Sequence, residues 1–232
     1  MEINRRLVLK GFALGSVAGW AAHGSIDWLA ASPGERSAPS SAPPLLAFVN
    51  DDAAGSMFLH GAAIASGARL QAERVDTGFA FLTRFERLLS AGSRPTRIIG
   101  LLDNASATLA VDLARAHGAR VQWLGLHTSE AGFTRHRVFD TDRSAGSLVD
   151  LARRLEVDGT AFELIEERRS RIASSTRWAP PHRGGRSTAD WASGVGYALA
   201  SLVAPLAAPW TRAAPRVEPG PSGSFASFSI TA

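Results

Sequence analysis

Leu45-Leu46-Ala47-Phe48-Val49-Asn50 is an apolar run that ends in polar residues, and it decides the fold predicted for this chain. Short apolar or alternating runs of this kind are typical of β-strands. Four further runs of similar length follow along the chain. They are residues 69–75, 97–102, 120–126 and 135–139. The sequence therefore predicts five strands.

Segments with helical spacing lie between these runs. Residues 56–66 form a small-residue helix, and Asn104 can cap a helix that Gly118 closes. A second helix is indicated by an i, i+3, i+4 stripe of Phe79, Leu82, Phe85, Leu88 and Leu89. Further helices are predicted over 145–155 and 160–173 and from Asp190. Alternating strands and helices predict an α/β fold, a three-layer, mostly parallel five-stranded sheet of flavodoxin-like or Rossmann-like type with a C-terminal helical extension.

The N-terminus, residues 4–10 (NRRLVLK) followed by a weakly apolar run over 11–22, resembles a bacterial twin-arginine (Tat) export signal. The positions that fit the family pattern are Arg5, Arg6, Leu9 and Lys10. Asn4 and Val8 depart from it. The resemblance implies the Tat translocase as a partner and a periplasmic location, with cleavage and retention as an anchor both open. A general secretion signal or a chance arginine pair on an amphipathic helix is the alternative.

Composition excludes several kinds of chemistry. The chain has no cysteine, which excludes disulfides, thiolate catalysis and cysteine-ligated metals. Lys10 is the only lysine, so the positive charge is almost all arginine. The net charge is only +4 and the arginines are spread along the chain, so we expect no nucleic-acid partner.

The predicted domain organisation follows changes of composition. Residues 1–30 are the signal segment, 31–44 a Pro/Ser-rich linker and 45–175 the α/β domain. Residues 176–212 form a loop and an apolar helix, and 213–232 a flexible tail. Phe225, Phe228 and Ile230 could alternatively dock as an edge strand. Residues 191–211 carry no charge, which favours a helix buried in the domain or on a partner, with peripheral membrane contact as the alternative.

Acidic and imidazole side chains follow the predicted strands. The carboxyl ends of parallel strands meet at one edge, where ligands bind. Asp52, Asp103 and His127 are therefore candidate catalytic residues, and Asp51, Asp52 and Asp103 are candidate ligands of a divalent metal. The polar segment 128–134 is a candidate lid. The alternative is that these aspartates cap helices and shape turns, as Asp and Asn commonly do.

Residues 45–140 also resemble a response-regulator receiver domain. Asp51-Asp52, Asp103 and Thr128 stand where that family has its acidic pair, its aspartate and its Thr or Ser. The family's lysine after the fifth strand is missing, so the resemblance implies the topology more than phosphotransfer.

Taken together, the sequence favours an exported periplasmic binding or accessory protein with a protein partner. Nucleophile-elbow, phosphate-loop and dinucleotide motifs are missing, so no cofactor is expected. The alternative is a periplasmic hydrolase that uses Asp52, Asp103 and His127 with or without a divalent metal.

Overall fold

The computed structural model describes residues 44–66, 70–76, 78–91, 96–130, 132–140, 145–157, 161–168, 174–179, 190–202 and 222–232. These residues belong to one compact unit, Ser41–Ala232. The predicted export signal and the linker up to residue 43 lie outside the described residues.

The described chain alternates strands and helices. The strands are β1 (Leu45–Asn50), β2 (Leu70–Val75), β3 (Arg97–Asp103), β4 (Arg120–Glu130), β5 (Phe133–Asp140), β6 (Ala161–Arg168), β7 (Ser174–Trp178) and β8 (Gly223–Thr231). The helices are α1 (Ala53–Ser66), α2 (Phe79–Ser90), α3 (Asn104–Ala116), α4 (Ala145–Val157) and α5 (Asp190–Ser201).

All the described strands form a single mixed sheet in the order β2-β1-β3-β8-β4-β5-β6-β7. β1 pairs in parallel with β2 and β3, and β5 pairs in parallel with β6. The pairs β3–β8, β8–β4, β4–β5 and β6–β7 are antiparallel. The prediction of a mostly parallel five-stranded sheet, flavodoxin-like or Rossmann-like, is therefore wrong, and so is the receiver topology that it shared.

Helices cover both faces of the sheet and form two cores. We call the face under α1, α4 and α5 the inner face, and its core includes Trp123, Phe162 and Trp191. The opposite, outer face carries α2 and α3 over the β2-β1-β3-β8 half, with Phe85 and Phe228 in its core. β1 and β3 carry apolar side chains on both faces, as strands that helices cover on both sides do.

The direction of β5 was mispredicted because its connection to β4 is very short. β4 ends at Glu130 and β5 begins at Phe133, and these two residues are paired across the strands. Gly132 has a φ of 81°, in the left-handed region that tight hairpin turns use. Parallel strands need a crossover of a dozen or more residues, so two residues can join only antiparallel strands. Residues 128–134, predicted as a lid, are thus the tip of a hairpin.

Residues 160–173, predicted as a helix, contain strand β6 instead. Phe162 and Leu164 are buried on the inner face, whereas Glu163 and Ile165 between and after them point to the outer face. This period of two places β6 beside β5, and α4 crosses over between them. Ile165 is apolar although it faces the outer side, so the alternation of apolar and polar residues was not apparent and the segment resembled a helix.

The last strand corrects the prediction of a flexible tail over 213–232 for residues 222–232, and the rest of that segment lies outside the described residues. β8 is neither a tail nor an edge strand, because it lies between β3 and β4 and pairs with both. Phe228 and Ile230 enter the outer core, and Phe225 enters the inner core. Partner strands far away in sequence decide this placement, so local composition could not show it.

Helix α5 is buried along its length. Every residue from Asp190 to Ala200 is buried, which favours the buried-helix interpretation of the uncharged segment. A Cβ at Gly61 would overlap the carbonyl oxygen of Ser193, and a Cβ at Gly196 would overlap that of Phe58. The backbones of α1 and α5 therefore touch, an approach that only glycine permits. Among the described helices, none combines the length and apolarity that a membrane crossing requires.

Candidate functional site

Asp52 and Asp103 lie at one edge of the sheet, as the sequence predicted. They follow β1 and β3, which are adjacent and parallel. Asp52 Oδ1 accepts a hydrogen bond of 2.6 Å from the Gly55 N–H, at the start of α1. Asp103 Oδ1 accepts from the Ala105 and Ser106 N–H groups at 3.0 and 2.9 Å, which caps α3. Both carboxylates thus satisfy helix N-termini, the alternative that capping chemistry had suggested.

The environment of Asp103 favours its charged form. Burial raises the pKa of this carboxyl, but hydrogen bonds from Ser106, Asn50 and Ala105 oppose that effect. The hydrogen bonds dominate, so the pKa of Asp103 lies below its ordinary value. A carboxylate held in its ionised form by helix N–H groups suits a structural cap better than a general acid.

Asp51, the other acidic residue of this edge, points to solvent. It forms an ion pair with Arg74 near the end of the neighbouring strand β2. Arg74 also donates to the Ser56 hydroxyl at 3.3 Å, which ties β2 to α1. Among the described residues, no three His, Cys, Asp or Glu side chains come together in a group that could hold a metal ion. The structure therefore offers no support for a metal at Asp51, Asp52 and Asp103.

His127 lies inside the sheet rather than at its edge. Phe225 of β8 pairs with Asp103 on one side and with His127 on the other, so two strand spacings, about 10 Å, separate the two backbones. The side chain of His127 is on the inner face and is 1% exposed. Thr128, its neighbour, points to the outer face. The three predicted catalytic residues thus share a side of the molecule without sharing one solvent-exposed cluster.

The structure gives His127 a partner that sequence analysis missed. His136 is its cross-strand partner on β5, and it is also 1% exposed. The two Nδ1 atoms are 2.8 Å apart, a hydrogen-bond distance. On the far sides of the rings, His127 Nε2 lies 2.7 Å from the Ser227 hydroxyl, and His136 Nε2 lies 3.0 Å from the Thr134 hydroxyl.

One arrangement of protons satisfies this whole chain of polar groups. The Trp123 indole N–H can only donate, and it donates to Ser227 Oγ at 3.0 Å. Ser227 can then donate its own proton to His127 Nε2. His127 carries its proton on Nδ1 and donates it to His136 Nδ1, and His136 donates from Nε2 to Thr134. Each imidazole is neutral, and every hydroxyl, indole and ring nitrogen named here has a partner.

Burial keeps both imidazoles neutral. It lowers the pKa of His136 to about 3. For His127, burial and then the nearby His136 hold the pKa well below its ordinary value. The indole of Trp191 covers both rings, with centroids 5.3 Å from His127 and 5.5 Å from His136. The pair is thus sealed between the sheet and the first turn of α5.

Gly125 makes room for these hydrogen bonds. It lies between Trp123 and His127 on the same face of β4 and opposite Ser227. A Cβ here would lie 2.7 Å from Ser227 Oγ and 2.9 Å from His127 Nε2. The absence of a side chain therefore lets the indole, hydroxyl and imidazole converge on one point.

A sequence signal for the histidine pair was present in the hairpin. In the sequence, His127 and His136 are equally far from the midpoint between Glu130 and Phe133, and Ser129 and Thr134 are closer to it and also symmetric. Symmetry about a glycine turn predicts cross-strand partners. Nothing local pointed to Ser227 or Trp191, since each reaches the pair from a distant segment.

Comparisons with known proteins add no family. No family model, no curated protein and no solved structure matches the chain.

Proposed function

We propose that this chain is a Tat-exported periplasmic accessory protein that binds a partner protein on the outer face of β4–β7. The alternative, a hydrolase built on Asp52, Asp103 and His127, is less well supported. Both carboxylates are engaged as helix caps, and the imidazole is sealed from solvent in a hydrogen-bonded pair. A catalytic group must instead reach the proton that it transfers.

The exposed outer face of β4–β7 carries the proposal. α2 and α3 lie mainly over the other half of the sheet, although Leu124 of β4 also packs against the outer core. Of the outward side chains on β4–β7, Leu126, Arg135, Arg137 and Arg177 are exposed, whereas Glu163 and Ile165 are half-buried. We call this surface the arginine face. Its main residues are Leu126, Arg135, Arg137, Glu163, Ile165 and Arg177. Arginine is enriched at protein interfaces, and on this face it lies beside the aliphatic side chains of Leu126 and Ile165.

The charges on the arginine face are layered. Glu163 forms ion pairs with Arg135, at 3.5 Å, and with Arg177, at 2.6 Å. Its side chain is only 15% exposed. The two arginine side chains are 61% and 69% exposed. Arg137 similarly pairs with Glu167 at 3.1 Å. Guanidinium groups therefore lie outermost, so the face fits a partner that presents carboxylates around an apolar centre.

Export through the Tat route predicts a strict need for both arginines of the signal. Replacing Arg5 and Arg6 together by lysine preserves the charge but removes the pattern that the resemblance rests on. We expect the full chain to remain in the cytoplasm, as measured by fractionation and immunoblotting. Arg36→Lys, beyond the signal, is the control and should be exported normally. Normal export of the double variant would instead indicate the general secretion route.

Partner binding is tested with a photo-crosslinking amino acid at Leu126 in the exported full chain. We expect one dominant covalent product in the periplasm, because this leucine lies beside the outward arginines. The matched control is Leu109, an exposed leucine on α3. Arg137→Glu should abolish the product through charge repulsion, whereas Arg115→Glu on α3 should preserve it. Equal products at Leu126 and Leu109, or a product that survives Arg137→Glu, would contradict a specific docking face.

A further inference from the structure

We propose that the His127–His136 pair is an acid-sensitive latch, which holds the first turn of α5 on the β4–β5 hairpin and releases it on protonation. The position of the pair is the first argument. Both imidazoles project from the hairpin, and Trp191 of α5 contacts both of them. Phe225, the cross-strand neighbour of His127 on β8, also contacts the indole, at a centroid distance of 5.7 Å. A change in either imidazole thus acts directly on the start of α5.

Added protons disrupt the pair in two steps. The neutral pair needs one proton between its two Nδ1 atoms, and His127 Nε2 is the nitrogen that accepts from Ser227. A first added proton at His127 Nε2 turns that nitrogen into a donor. Ser227 Oγ then receives both this N–H and the Trp123 indole, so the hydroxyl proton loses its acceptor. A second added proton places N–H groups on both Nδ1 atoms, which face each other at 2.8 Å.

Groups around the pair provide little stabilisation for the positive charge of a protonated imidazole. The ionisable groups on the elements packed around the pair are Glu166 of β6, Asp190 at the start of α5, Arg154 of α4 and His60 of α1. Burial lowers the pKa of both imidazoles, and the neighbouring His136 lowers that of His127 further. Within the described part of the chain, no carboxylate counteracts these effects. We call the form with α5 docked on the hairpin the closed form, and a form in which the imidazoles contact water the open form. The imidazoles therefore bind protons more weakly in the closed form than in the open form.

Thermodynamic linkage gives the direction of the pH effect on this equilibrium and the pH range over which it occurs. An imidazole in the open form has the ordinary pKa near 6.5, whereas the pKa of His136 in the closed form is about 3. The closed form is fully favoured above about pH 6.5, and its advantage is lost as the pH falls toward 3. At pH 4.5, His136 alone raises the ratio of open to closed molecules about 100-fold over its value above pH 6.5.

Hydrogen exchange of the full chain at pH 7.0 and pH 4.5, corrected for intrinsic exchange rates, tests the latch. We expect amide protection in the β4–β5 hairpin and over residues 190–193 to fall by about 100-fold or more. Protection in β1 and β2 should be unchanged, since these strands lie three and four positions away from β4 in the sheet. An equal loss in all of these strands would mean global unfolding and would overturn the latch. Unchanged protection in the hairpin would overturn it as well.

Variants assign the effect to the pair. The double variant H127Q/H136Q cannot be protonated at these positions, so its hairpin protection should not depend on pH in this range. His117→Gln, at the end of α3, is the control and should retain the full dependence. Imidazole ¹⁵N shifts of the wild-type chain provide a measurement that requires no folded variant. Titration of both rings near pH 6.5 without change in the hairpin amides would contradict the proposal.

Discussion

Gly196→Ala is expected to destabilise the protein by about 3 kcal/mol or more, an effect large for a single added methyl group. The new Cβ would overlap the carbonyl oxygen of Phe58, a backbone atom that cannot rotate away. α1 and α5 would have to separate, and the buried contacts of α5 would loosen with them. The free energy of unfolding from urea titration, followed by circular dichroism, measures the loss. Gly61→Ala should behave similarly, because its Cβ would overlap the carbonyl oxygen of Ser193.

A neighbouring glycine provides the matched control. Gly194 lies on the same helix, but a Cβ there would meet Leu151 Cδ1 at 3.5 Å and Arg154 Cβ at 3.8 Å, which are ordinary contacts. Gly194→Ala should therefore stabilise the protein by about 0.5–1 kcal/mol, because glycine loses more backbone entropy than alanine in a helix. Equal effects at 194 and 196 would show that helix propensity, and not the contact between backbones, governs this helix.

The first half of the fold could be predicted from local pattern. The observed ends of β1 and the position of β3 agree with the predicted runs to within a residue, and α2 covers the predicted apolar stripe. These elements are regular and carry apolar faces. Periodicity is a reliable guide where a single element decides its own conformation.

The second half was mispredicted because long-range pairing determines it. Strand period does not show direction, and a two-residue connection at Gly132 reverses β5. β8 takes a central position only because β3 and β4 offer it two edges. The order of strands in the sheet therefore depended on contacts that no local window contains.

The residues of the candidate site were likewise predicted where local features define them and missed where long-range contacts do. The aspartates after β1 and β3 were found because strand ends and helix starts are local features, and their capping role was one of the two predicted alternatives. The histidine pair was missed since it needs the hairpin register. Its further partners, Ser227 and Trp191, come from β8 and α5. A buried polar network assembled from three strands, and covered by a helix, has no signature in any one of these elements.

Ser227→Ala is expected to cost about 2–6 kcal/mol of folding free energy. The substitution removes one hydroxyl but leaves two buried groups without a partner, the Trp123 indole N–H and His127 Nε2. Each buried polar group left unsatisfied costs about 1–3 kcal/mol, whereas the lost hydroxyl itself contributes little. Urea unfolding at pH 7, where both imidazoles are neutral, measures the difference.

Ser229 separates the hydrogen-bond effect from the effect of burial. It lies two residues further along β8, faces the same side of the sheet and is 1% exposed, while Ser227 is 0% exposed. Its hydroxyl has no hydrogen-bond partner within the described part of the chain. Ser229→Ala should therefore change stability by less than about 0.5 kcal/mol or increase it, because a buried hydroxyl without a partner is unfavourable. If both alanine variants lose the same stability, the side-chain network adds nothing specific, and backbone pairing together with packing must account for the central position of β8.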